Sequence, residues 1–296
     1  MTAHARRELS KVIVGQQQAL DLLLLTIVCG GHALIEGVPG VAKTLAVRTL
    51  ARLLGVGFQR VQCTPDLMPG DIVGGSIFNM ATSQFVLHEG PVFTDLLLVD
   101  EINRMPPRTQ AALLEAMEER QVTIDGRTQP LPANFTAFAT QNPVEFEGTY
   151  PLPEAELDRF LVKIRVDYPT ADDEETILER YHQGFDARRL DATSLEPLPP
   201  AALADARRDV AGVRVEPSLF TYIAAIARRT RDWPALTLGA SPRAAINLMQ
   251  MARAHAAMDG RDYMLPDDVK AAAPAVLRHR LVLQPEADRE WLTADQ

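Results

Sequence analysis

Cysteine is nearly absent from this chain: among 296 residues only Cys29 and Cys63 carry thiols, and the two, 34 residues apart, form no metal-ligand cluster pattern. That scarcity excludes a disulfide-stapled scaffold and a zinc ribbon, and it leaves two small apolar side chains suited to a reducing compartment. The six histidines are scattered, so no protein-only metal centre is legible. Long apolar runs are missing as well. The best candidate, Leu22 to Cys29, falls far short of the roughly 20 residues a membrane span needs, and it predicts a buried helix instead. The stretch from Met1 to Lys11 has neither the apolar centre nor the cleavage site of a secretory signal, which points to a cytoplasmic protein without membrane insertion. Positive charge is in deficit, with 30 Lys and Arg against 39 Asp and Glu and a net charge of −9. Neutralising a phosphate backbone takes clustered cations, so nucleic acid is a poor fit as the main partner.

What the chain does have begins at Ala33-Leu34-Ile35. This apolar run precedes Gly37-Val38-Pro39-Gly40-Val41-Ala42-Lys43-Thr44 and then the helical pattern Leu45 to Leu54. A strand, a tight loop and a helix in that order form a phosphate-binding loop. Backbone N–H groups at the helix start face the phosphates of ATP or ADP, the Lys43 ammonium reaches the outer ones, and the Thr44 hydroxyl suits Mg²⁺. Ala42 departs from the usual G-x-x-x-x-G-K-[ST] pattern, in which a second glycine stands before the lysine.

A second strand, Leu96 to Val99, ends in Asp100-Glu101. In nucleotide hydrolases the first such acid holds Mg²⁺, usually through water, and the second polarises the attacking water. A solvated acidic pair at a strand end is the plain alternative. A third strand, Phe135 to Ala139, runs into Thr140-Gln141-Asn142-Pro143. Asn142 would then stand at a strand's carboxyl end, where open α/β sheets bind ligands, and could orient the water beside Glu101. A turn-forming Asn-Pro looks the same.

Short strands alternate with helical patterns through residues 1–190, which predicts an α/β core with a mainly parallel sheet. Residues 191–200 form a Pro-rich linker, and residues 201–296 a helical unit with helix starts near Pro217, Ser241 and Pro266. Asp125-Gly126 between alternating residues predicts a hairpin. Gly-rich turns from Gly70 to Pro91 predict a further hairpin region.

The phosphate loop, Leu98-Val99-Asp100-Glu101-Ile102-Asn103-Arg104, Ala139-Thr140-Gln141-Asn142-Pro143 and the stretch from Glu147 to Phe160 together resemble the MoxR family of AAA+ ATPases. The resemblance runs from Val14-Gly15-Gln16 to Leu281. It implies a P-loop AAA+ core with a helix-2 insert at residues 70–91 and an all-α lid, acting as a hexameric ring. Arg159 then matches an arginine finger for a neighbour's γ-phosphate, and Arg243 the second sensor on a lid helix. Gly15 lies in the segment that lines the adenine pocket. The resemblance also implies a von Willebrand factor A domain protein as adaptor, with chaperone-like maturation or metal-cofactor insertion of a protein client.

Each assignment has a plainer counterpart. Arg159 could pair with Asp158 or Glu156, the hairpins could be surface decoration rather than pore-facing loops, and Arg104, which could face a subunit interface, reads first as a solvated charge. A cation in the first turn opposes the helix dipole, so Arg243 is locally out of place unless it has a task. Two other classes share the core motifs: a nucleic-acid motor or transcription activator, and a scaffold that binds ATP without hydrolysing it.

Overall fold

The computed structural model describes residues 1–142 and 148–286. The chain opens with α1 (Thr2–Ser10) and α2 (Gln17–Cys29), and α2 buries its whole Leu22–Val28 stretch. Then follow β1 (Ala33–Gly37), α3 (Lys43–Leu54), β2 (Phe58–Gln62), α4 (Pro69–Val73), β3 (Gly74–Asn79), β4 (Gln84–Glu89) and β5 (Leu96–Asp100). Next come α5 (Pro107–Glu119), β6 (Gln121–Ile124), β7 (Arg127–Pro130), β8 (Thr136–Gln141), α6 (Glu154–Leu157), β9 (Val162–Val166) and α7 (Ala171–His182). Of the motif residues named above, Pro143 and Glu147 lie outside the described residues.

Five strands form one sheet in the order β2-β5-β8-β1-β9, and every pairing is parallel. Helices cover both faces, so the inner strands are buried on both sides and consist of almost unbroken apolar runs. The order matters for function: β8 lies between β5 and β1, so the ends of all three converge at the carboxyl edge. At the opposite edge buried His32 ties the layers together. Its Nε2 donates to the Met117 carbonyl on α5 at 3.1 Å, while its Nδ1 accepts from the Ala137 N–H on β8 at 2.9 Å.

Two hairpins stand off this sheet. β6 and β7 pair around Asp125 and Gly126, both at positive φ as a two-residue hairpin turn requires. β3 pairs with β4, and its tip leaves Ile77, Phe78, Met80, Phe85 and Val86 exposed, with Phe78 set edge-on to Phe85 at 5.3 Å.

Residues 191–200 run along the core. The Leu198 side chain is buried and its N–H donates to the Leu53 carbonyl of α3 at 2.7 Å. The C-terminal unit contains α8 (Ala202–Gly212), α9 (Pro217–Arg231), β10 (Leu236–Leu238), α10 (Pro242–Met258), α11 (Pro266–Leu277) and β11 (Val282–Leu283). It is helical, with one addition to the sequence expectation: β10 and β11 pair as a small antiparallel ribbon. Ser241 caps α10, its hydroxyl accepting from the Ala244 N–H at 3.1 Å ahead of Pro242. No helix among the described residues is long and apolar enough to cross a membrane.

Candidate nucleotide site

The loop from Val38 to Ala42 joins β1 to α3, and two backbone constraints shape it. Gly37 must be glycine, because a Cβ there would meet the Val166 carbonyl of β9 at 2.4 Å. Ala42, where the common pattern has glycine, adopts φ 59° and ψ 22°, a left-handed conformation that an L-residue enters at roughly 1–2 kcal/mol. The departure from the motif is therefore a local strain at the start of α3. Lys43 is half-buried and turned back over the loop, donating to the carbonyls of Gly37 at 2.5 Å and Val38 at 3.2 Å. Burial lowers its proton affinity, and the nearby Asp100 and Glu101 carboxylates act in the opposite sense. With only β8 between β1 and β5 in the parallel sheet, the loop and the acidic pair leave the same edge.

Asp100 ends β5, and its carboxylate is held on both oxygens. The Thr140 hydroxyl donates to Oδ1 at 2.6 Å, and Arg60 Nη2 from β2 donates to Oδ2 at 2.7 Å. Glu101 follows with φ 60° and ψ 54°, a strained conformation for a residue with a side chain. Its N–H donates to the same Thr140 hydroxyl at 2.9 Å. Its carboxylate accepts from Gln62 Nε2 at 3.1 Å and pairs with Arg104 Nε at 3.1 Å. Arg104 is thus an ion-pair partner of Glu101, which sequence reading took for a solvated charge. Asn142 is buried just beyond the end of β8. Thr44, in the first turn of α3, and Asp100 offer hydroxyl and carboxylate oxygens, the hard donor type that Mg²⁺ takes.

Gly15, at φ +67°, starts the turn before α2, and a Cβ there would strike the Asp173 carboxylate of α7 at 2.5 Å. The close approach of α7 leaves a cavity of about 130 Å³ beside the loop, lined by Ile13, Gln16, Val41, Leu45, Ile177 and Tyr181 among others. Its mainly apolar walls suit a flat heteroaromatic base.

The other two candidates lie elsewhere. Arg159 and Arg243 belong to the amino-terminal edge of the sheet. The Leu161 N–H donates to the His32 carbonyl at 2.8 Å, so the Asp158–Phe160 turn stands level with the start of β1. Gly37 is five residues further along, roughly 16 Å at strand rise. Arg159 donates from Nη1 to the Leu114 carbonyl of α5 at 3.0 Å. Its expected alternative partner Asp158 is engaged by Arg280 at 2.6 Å and by the Ser241 hydroxyl at 3.0 Å. Arg243 pairs through both terminal nitrogens with Glu118 of α5, at 2.6 and 3.2 Å. That ion pair offsets the unfavourable helix-dipole position noted in the sequence.

Sequence reasoning missed Arg60, Gln62 and Thr140. Their roles follow from the register Gln62↔Asp100 and from β8 lying next to β5, which only the folded sheet supplies.

Comparison with known proteins agrees with this geometry. Residues 32–162 match the model of the "ATPase family associated with various cellular activities (AAA)", and residues 228–296 match the "AAA lid domain". The chain is similar to an uncharacterized protein, YeaC, of Bacillus subtilis, 45% identical over 98% of this chain and 90% of that one. It is 44% identical to Chaperone MoxR1 of Mycobacterium tuberculosis, over 95% of this chain and 75% of that protein. A crystal structure of a protein from Cytophaga hutchinsonii superimposes with a TM-score of 0.88 at 42% identity, covering 97% of this chain and 88% of the other. With parallel sheet, phosphate loop, acidic strand end and helical lid in place, the chain belongs to the MoxR family of AAA+ ATPases.

Proposed function

We propose that this ATPase uses Mg²⁺ and ATP to remodel a protein client, and that its catalytic site is completed only when a second copy docks. The observation that carries the reading is the division of labour across the sheet. Lys43, Thr44, Asp100 and Glu101 gather at the carboxyl edge, whereas Arg159 and Arg243 stand at the amino edge, beyond reach of their own phosphate loop. Two cations so placed would serve a neighbour's nucleotide, as the arginine finger and second sensor of a ring, hexameric by family resemblance.

In this reading the loop amides from Val38 to Thr44 and the Lys43 ammonium bind the phosphates, and Lys43 exchanges its loop carbonyls for them. Thr44 and Asp100 would hold Mg²⁺, which when bound neutralises charge between the outer phosphates. Glu101 orients the attacking water and accepts its proton, with Asn142 as a second polar contact. Arg159 of an adjacent copy stabilises the charge that spreads over the transferred phosphoryl group, a contribution worth about 10³–10⁵ in rate. The apolar β3–β4 tip is the surface offered to the client, since a patch of exposed large apolar side chains marks an interaction site. An adaptor with a von Willebrand factor A domain and the metal-cofactor insertion role rest on family resemblance alone.

The test is equilibrium binding alongside turnover for Glu101→Gln. Retained Mg²⁺·ATP binding with turnover reduced to background supports the assignment, and normal turnover refutes it.

A further inference from the structure

At the amino edge of the sheet a cleft of about 430 Å³ opens between core and lid, lined by Arg120, Arg207 and Arg253 and, among the described residues, by no acidic side chain. Arg120 follows α5, Arg207 sits on α8 and Arg253 on α10, so the cations converge from separate elements. Among the described residues their hydrogen-bond partners are neutral. Arg120 donates to the carbonyls of Phe135 and Gly30, Arg207 to Asn134 Oδ1 at 2.9 Å and the Ile27 carbonyl at 3.1 Å, and Arg253 to the Ala211 carbonyl. No carboxylate among the described residues forms a salt bridge with any of them. The buried Nε atoms of Arg207 and Arg253 meet no hydrogen-bond acceptor among the described residues. Burial and the Arg120 charge both work against the protonated form of Arg207.

Like charges gathered without a counter-ion oppose folding, and proteins pair or ligate buried charge. In a chain of net charge −9, such a concentration of arginine is also no by-product of a basic surface. We propose that this cleft binds a phosphate-type oxyanion, clamped between core and lid. Planar guanidinium forks approaching from several sides match the several acceptor oxygens of a phosphate group. The volume exceeds what one carboxylate side chain fills. The cleft is separate from the nucleotide loop, since Gly30 precedes β1 and Lys43 follows it. An anion there would fix the lid against the core from the edge that carries Arg159 and Arg243.

The experiment titrates inorganic pyrophosphate calorimetrically into the full chain whose phosphate loop is already saturated with ADP, while ADP occupancy is monitored. The expected result is one pyrophosphate per chain with ADP retained. Arg253→Gln and Arg120→Gln should each weaken it by at least about tenfold, the effect of losing one charge-assisted hydrogen bond, with ADP affinity unchanged. Arg253 is half-buried and makes a single hydrogen bond among the described residues, so its variant keeps the test open if the Arg120 variant fails to fold. Absence of binding, an isotherm that Arg253→Gln leaves unaltered, or binding of citrate in place of pyrophosphate would overturn the proposal.

Discussion

Arg280, at the end of the lid, holds Asp158, the residue next to Arg159, through an Nε–Oδ1 contact of 2.6 Å. The guanidinium is almost wholly enclosed and also donates to the carbonyls of Asp158, Phe160, Leu161 and Val276. The adjacent His279 donates from Nε2 to the Phe160 carbonyl at 3.0 Å, and Ser241 at the head of α10 bonds Asp158 as well. The turn that carries Arg159 is therefore fastened by the lid, so a shift of the lid would carry Arg159 with it.

Asp158→Asn should leave Arg280 buried with its charge uncompensated. Removing one partner of such a pair costs about 3–5 kcal/mol. Denaturant unfolding should show that loss, and amide exchange should show α10 and α11 opening faster than the sheet. A variant of native stability with an undisturbed lid would contradict the role given to the pair.

Thr140 bridges Asp100 and Glu101 with one hydroxyl. Thr140→Val keeps the shape and removes both bonds, leaving the acids to settle elsewhere. Turnover should fall by about 10–100-fold, the range seen when a group that orients a metal-binding residue is lost. ATP affinity should change little, because the phosphate-loop amides are untouched. Unaltered kcat would show that the bridge has no part in catalysis.

Ala42 is strained where glycine would be relaxed. Ala42→Gly should raise stability by about 0.5–1 kcal/mol, the left-handed penalty less the extra chain entropy of glycine. Urea unfolding of the two chains measures it directly. A loss of similar size would mean that the methyl group contributes packing that outweighs the strain.

His32 gives stability a defined pH dependence. Burial, with Arg120 assisting, pushes its pKa down to about 4 from an unfolded value of about 6.5. Above the unfolded value neither state binds the proton and the group is silent. Below it the unfolded chain takes up a proton that the folded chain refuses, so stability falls by about 1.4 kcal/mol per pH unit until pH reaches about 4. His279, held well below its ordinary value by burial and Arg280, acts with the same sign. His32→Gln should flatten the slope by one proton's worth in that window. An identical slope in the variant would refute the assignment.

Much of the fold was legible because it follows from local pattern. The apolar runs of β1, β5 and β8, the Asp125-Gly126 turn and the Ser241-Pro242 helix start each carry their own signal. The Gly37 to Thr44 pattern between β1 and α3 and the Asp100-Glu101 end of β5 are local signals of the same kind. What stayed hidden depends on adjacency. Arg60 and Gln62 lie on a strand, Phe58 to Gln62, whose polar residues give no hint of a partner until β2 is paired with β5. Arg280 stands in Leu277-Arg278-His279-Arg280-Leu281, where nothing separates a buried arginine from a solvated one except its distant partner Asp158. The β10–β11 ribbon is too short to rise above its helical surroundings.

If Arg159 completes a neighbour's site, two variants that are each inactive should complement one another when mixed. Arg159→Ala keeps an intact phosphate loop but has no finger to lend, whereas Glu101→Gln lends a finger but cannot hydrolyse. Each alone should show background ATPase, and the mixture should regain activity in proportion to mixed contacts, rising with protein concentration. If Arg159→Ala hydrolyses ATP at the native rate, or the mixture stays as silent as its components, the site is not shared between copies.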